Sequence, residues 1–247
     1  SSVSSLGASK TSTMITASNL NMYYGSGKSV VAYLKTSSGK AISGQSAKIS
    51  IDGRSWTKTT DSNGKVSLPI LTLTPAVYPC TIKFAGTSSY ESCSKTINVN
   101  VTKAPTKISG NTTWNMTYGE SKQLIFTLRN STTNATISGK TVHFTINNKT
   151  YNVTTNSSGK AYLSIKLKPG TYSGVLKFKG DSLNNASSKS ITINVFKIKT
   201  AIISNNLQLY YTANDKISAC LKDSKSNVLA NKTINIIIDG KSYNKTS

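Results

Sequence analysis

The residues that could do chemistry are few, and their spacing limits what the chain can do. Gly25-Ser26-Gly27-Lys28-Ser29 resembles part of a phosphate-cradling loop. That motif needs a glycine five residues before Gly27, where Met22 stands, and it must open a helix. The corresponding stretches Gly119-Glu120-Ser121-Lys122 and Ala213-Asn214-Asp215-Lys216 lack it too, so the segment reads as a turn between strands. His143 is the one histidine and alternates with Val142 and Phe144, as a strand residue does. No second histidine or paired carboxylate is spaced to build a triad. The 8 acidic residues lie singly, which does not suit calcium. The expectation is a protein that is not an enzyme, with no catalytic, cofactor-binding or metal-binding set and no cofactor.

Two other residue types invite modification. Asn-x-Ser/Thr acceptors occur at Asn100, Asn111, Asn115, Asn130, Asn134, Asn148, Asn152, Asn156, Asn185, Asn231 and Asn244. They become glycosylation sites if the protein is exported and the asparagine is exposed. A chain rich in Asn, Ser and Thr also makes such triplets by chance. Of the 3 cysteines, Cys80 and Cys93 share the inward parity of one hairpin, which suggests a disulfide. Register argues the other way. Residues 86–92 form the connection, so Cys80 lies nearer Ile97. A gap of several residues at ~3.3 Å each exceeds the ~7 Å Cα limit, unless the chain bends before Lys95.

The 30 basic residues against 8 acidic ones leave a net charge of +22. That favours polyanionic surroundings and opposes close self-association. The lysines are spread along the chain, many at turns or at outward positions such as Lys35, Lys83 and Lys177. A nucleic-acid binder gathers them into a patch with stacking aromatics, so nucleic acid is disfavoured. The expected partner is an acidic cell-wall or host-surface polymer or glycan. No apolar run approaches the ~20 residues of a membrane span.

The elements that must carry these residues repeat. Leu20, Met22 and Tyr24 recur as Trp114, Met116 and Tyr118, then as Leu207, Leu209 and Tyr211. Ile51-Asp52-Gly53 recurs at Ile146 and Ile238, the Asp61–Lys65 turn at Asn156–Lys160, and Phe84-Ala85-Gly86 at Phe178-Lys179-Gly180. Tandem units of about 94 residues follow. A polar leader at 1–9 precedes units at 10–104 and 105–198 and a partial unit at 199–247. The partial unit stops at Ser247, which aligns with Thr60 and Thr155. Its remaining strands are expected from further chain or from a neighbour, the chain being read as a piece of something longer.

Within a unit the apolar period is two. Val30, Ala32 and Leu34 match Leu124, Phe126 and Leu128, then Ile217, Ala219 and Leu221. Asp52-Gly53 is a hairpin signal. The pattern predicts about seven short strands per unit and an all-β fold of tandem antiparallel sandwiches. Leu20/Trp114, Leu34/Leu128, Phe84/Phe178 and Val99/Ile193 are the expected core.

The Met22-x-Tyr24-Gly25 start, the Thr155–Lys160 turn, the Lys168–Tyr172 stretch leading to Phe178-Lys179-Gly180, and the Ser187–Val195 ending carry a family resemblance. The units resemble bacterial-type immunoglobulin-like repeats, more closely those of adhesin-like surface proteins of methanogenic archaea. The Tyr172–Gly174 and Tyr78–Cys80 spacings resemble the tyrosine corner of such sandwiches. The resemblance implies a non-enzymatic, extracellular cell-surface protein whose repeats form a rod that mediates or spaces attachment. Two alternatives stay open: a filament subunit assembling with copies of itself by strand exchange, and a basic polyanion-binding module.

Overall fold

The computed structural model describes residues 9–204, 206–208, 210–211, 214 and 216–247. Most of the polar leader, with Leu209, Ala213 and Asp215 of the third repeat, lies outside the described residues. Every regular element among the described residues is a strand.

The first repeat holds β1 (Thr13–Ala17), β2 (Leu20–Tyr23), β3 (Ser29–Thr36), β4 (Ser46–Ile51), β5 (Arg54–Thr59), β6 (Lys65–Pro69), β7 (Ala76–Phe84) and β8 (Cys93–Thr102). These form a three-stranded sheet, β1-β3-β6, and a five-stranded sheet, β2-β8-β7-β4-β5. The second repeat copies the plan with β9 (Thr106–Gly110), β10 (Thr113–Thr117), β11 (Gln123–Asn130), β12 (Thr141–Ile146), β13 (Lys149–Thr154), β14 (Lys160–Ser164), β15 (Gly170–Phe178) and β16 (Ser187–Phe196). Its sheets are β14-β11-β9 and β10-β16-β15-β12-β13.

The first and second repeats therefore have eight strands each, not the seven expected from alternation. The extra one is β1, in which Ile15 is buried while Met14 turns outward at 41% exposure. One large inward residue, joined on its side by the small Ala17, gives no visible period. After β1 the chain crosses at Ser18-Asn19 to the other sheet, and β2 pairs with β8 in parallel, as β10 does with β16. All other strand pairs are antiparallel.

Two separate cores follow from the inward parity. One gathers Leu34, Ile49, Ile82, Phe84 and Val99, the other Leu128, Phe144, Leu176, Phe178 and Ile193. Each fully buried side chain of this size contributes roughly 1.5–3 kcal/mol. Leu20 and Trp114 are only half-buried, because β2 and β10 are outermost strands of their sheets.

The Asp61–Lys65 turn shows why the repeated motif has its composition. The Asp61 side chain accepts from the backbone N–H of Asn63 and Lys65, and Asn156 accepts from Ser158 and Lys160 in the same way. Gly159 adopts φ +68, and a Cβ there would lie 2.8 Å from Cβ of Thr136.

Residues 199–247 form two two-stranded sheets, β17 (Thr200–Ser204) with β18 (Ala219–Asp223), and β19 (Thr233–Ile238) with β20 (Lys241–Thr246). Ser247, Thr60 and Thr155 make one and the same kind of bond. Their hydroxyl oxygens accept from the backbone N–H of Lys232, Gln45 and Lys140 respectively. Ile234 is buried, whereas Ile202, Ile217, Ile237 and Ile238 are exposed.

Candidate binding surface

The phosphate-loop lookalike is a turn. Ser26 N–H donates to Tyr23 O at 3.0 Å. The Lys28 ammonium reaches back to Asn21 O at 3.0 Å, and Lys122 repeats this on Asn115 O at 2.6 Å. Both lysines clasp the strand that precedes them. His143 sits half-buried on β12, with Nδ1 2.7 Å from the side-chain oxygen of Asn152.

The cysteines do not pair. Cys80 is opposite Ile97 and Cys93 is opposite Phe84, four rungs away on the β7–β8 ladder. At ~3.3 Å per residue this is far outside disulfide reach. Both thiols are free, and so is Cys220. Cys80 is fully buried, and loss of solvation pushes its pKa up to about 11.

The glycan acceptors sort by environment. Asn130 is 8% exposed, and its side-chain oxygen accepts from the backbone N–H of Thr132 and Thr133. The fold thus withdraws it from enzymatic access. Asn100 is half-buried and donates to Asn21, while Asn115 accepts from Asn194. Asn152 and Asn244 are exposed but joined to His143 and Asn235. Asn111, Asn134, Asn148, Asn156, Asn185 and Asn231 are exposed, and Asn134, Asn148 and Asn231 have positive φ. Asn148 lies in the β12–β13 turn, and the Asn156 side chain is held through its oxygen, which accepts from Ser158 and Lys160.

The tyrosine spacing does form corners. Tyr78 Oη donates to Thr74 O at 3.0 Å, and Tyr172 Oη to Lys168 O at 2.9 Å. These bonds tie the connection before β7 and β15 to the strand.

The basic side chains are poorly neutralised. Among the described residues one ion pair forms, Lys140 Nζ to Asp181 Oδ2 at 2.8 Å. Lys48 and Lys83 stand directly opposite each other across β4 and β7, both exposed. At the same rung of the second repeat His143 faces Lys177. Like charges at directly opposed positions destabilise a sheet by tenths of a kcal/mol.

A second feature escapes alternation alone. Arg54, Trp56 and Lys58 face Ile51, Ile49 and Ala47 in the β4–β5 register and so share the inward side of the sheet. Lys241, Tyr243 and Lys245 repeat this row in β20, and Lys149 and Tyr151 repeat part of it in β13. The recurrence of cation and aromatic two residues apart is the sequence signal that would have found it.

No protein-family model matches the chain, and no curated protein sequence matches it. Solved structures do match in fold. Invasin, a bacterial integrin-binding protein, is 12% identical with a TM-score of 0.52 over 95% of this chain and 54% of that one. The chain thus spans about half the length of that structure. A run of titin domains gives 15% identity and a TM-score of 0.44 over 90% and 78% of the two chains. A structure concerned with host cell surface retention of a 1.5-MDa bacterial ice-binding adhesin gives 12% and 0.32 over 96% and 84%. At these identities the likeness is one of architecture: the chain is an all-β protein of immunoglobulin-like sandwiches.

Proposed function

We propose that this chain is a non-enzymatic part of an extracellular, cell-surface adhesin-like protein. Its sandwiches space or mediate attachment to an acidic surface polymer or glycan. The observation that carries the reading is the unneutralised charge on an outward sheet face, with Lys48 set against Lys83. A polyanion laid across that face relieves the repulsion and releases bound counterions. The fold shared with an integrin-binding bacterial invasin is in keeping with an attachment role. The resemblance to methanogen surface repeats rests on the sequence motifs.

The test is retention of the purified 247-residue chain on polygalacturonate-coated beads against uncharged dextran beads. Retention should weaken steeply as salt rises, since exposed charges are screened within ~10 Å at 0.1 M. Equal retention on both beads would overturn the polymer reading.

The filament alternative draws on β18 and β19, which among the described residues pair with β17 and β20 and with no counterpart of β6 or β7. Sedimentation over a range of concentrations separates the readings, because strand exchange predicts growing assemblies.

A further inference from the structure

The two sheets of the first repeat differ in width, five strands against three. β5 lies at one border of the wider sheet and reaches past its cover. The β4 residues Ala47, Ile49 and Ile51 are buried, yet Trp56, on the same side, is 36% exposed and Arg54 is exposed. The chain leaving β6, Leu68 to Leu73, walls the other side. Together with Asp52, Arg54 and Trp56 it encloses a hollow of about 200 Å³.

The second repeat treats the same place differently. Lys149 Nζ lies 5.0 Å from the Tyr151 ring centroid, and that ring stacks on Phe144 with centroids 6.2 Å apart. Tyr151 is half-buried, and Val153 stands where the first repeat has Lys58. The aromatic face is covered from within. In the first repeat it is open, and it combines one of the chain's 2 tryptophans with one of its two arginines.

We propose that this hollow binds one uronate residue of an acidic polysaccharide. The inference rests on the acidic-polymer reading above and names its subsite. A pyranose ring presents a flat C–H face that packs on the indole, where an aromatic face carries partial negative charge. The planar guanidinium of Arg54 matches a carboxylate through two parallel N–H donors. Lys58, four residues from Arg54 along the strand, stands ~13 Å from it and meets the charge of a sugar further along the polymer. Asp52, beside Arg54 in the same lining, accepts from sugar hydroxyls. The volume suits a single sugar ring, well below the ~300 Å³ or more of drug-sized sites.

The test titrates the 247-residue chain with trigalacturonate, maltotriose and a short oligothymidylate at fixed salt. Calorimetry gives affinity, and the two indole N–H resonances, assigned with W56F, report location. Trigalacturonate should bind with one-to-one stoichiometry and shift the Trp56 signal, while maltotriose should not bind. W56A and R54Q should each weaken binding about tenfold, as removal of a central anchor does. Y151A should leave it unchanged. R54Q alters an exposed side chain and stands if W56A fails to fold.

Unchanged trigalacturonate affinity in both variants, with polygalacturonate beads still retaining the chain, overturns the subsite and leaves the surface reading intact. Loss of bead retention by the unaltered chain removes both. Tighter binding of oligothymidylate than of trigalacturonate would reassign the hollow to a nucleotide and overturn the proposal.

Discussion

Phe144 fills the space that a side chain on Gly174 would need: a Cβ built there lies 2.7 Å from Cε2 of Phe144. The first repeat packs the same place the other way round. Gly174 stands opposite Ile146 and Ile191, as Cys80 stands opposite Ile51 and Ile97. Ile49 takes the place of Phe144 there, and both are fully buried. A large and an absent side chain in one repeat answer to two medium ones in the other. Cys80 is therefore a small core residue, and its raised pKa leaves it little thiolate with which to react.

G174A should destabilise the second repeat by about 1–3 kcal/mol through overpacking. The paired change F144I with G174C, copying the first repeat, should recover most of that loss. Urea unfolding of the single and double variants measures the coupling. A double variant no better than the sum of its parts would show that the two positions do not share one volume.

Asp181 makes the second repeat acid-sensitive. Burial works to raise its pKa, but the Lys140 ammonium, the backbone N–H groups of Leu183 and Asn184 and the Asn184 amide together bring it down to about 2. A lowered native pKa adds stability above the unfolded value and loses it as pH falls through the native one. The pair is partly exposed, so the gain is about 1–2 kcal/mol, present near pH 5 and lost between about pH 4 and 2. D181N should remove that slope and weaken the repeat at neutral pH. Parallel acid titrations of both proteins would disprove the assignment.

If the chain is exported and glycosylated, occupancy should follow exposure. Glycopeptide mapping of native material is expected to find Asn148 and Asn156 modified and Asn130 bare. Modification of Asn130 would require its turn to open first, since its oxygen holds two backbone N–H groups.

In the 247-residue monomer, amide exchange should be fastest in residues 199–247. Two-stranded sheets without a buried face are marginal in water. Limited proteolysis should remove this region while both complete sandwiches persist. Protection there equal to that of β9–β16 in a proven monomer would contradict the arrangement.

Much of this was legible in the sequence because the repeats present the same pattern more than once. Val30-x-Ala32-x-Leu34 and its copies announce a strand wherever they occur, and Asp52-Gly53 marks its hairpin. β1 was not legible, since the apolar companion of Ile15 on its own side is the small, half-buried Ala17. The parallel partner of β2 could not be read, because alternation fixes which face is buried and says nothing of which strand lies alongside. The Arg54–Trp56 row stayed hidden for a related reason. Its inward parity predicts burial, and the exposure comes from the unequal widths of the two sheets.

The parallel pairing of β2 with β8 has a mechanical consequence. The chain enters through the first half of the repeat and departs along β8. Tension applied at the two ends therefore drags β2 backward past β8, along the strands and not across them. The rungs from Leu20–Val99 to Tyr23–Thr102 are then loaded together, and none can give way before its neighbours, as rungs do when a hairpin is peeled from one end. β10 and β16 meet a pull in the same shearing geometry.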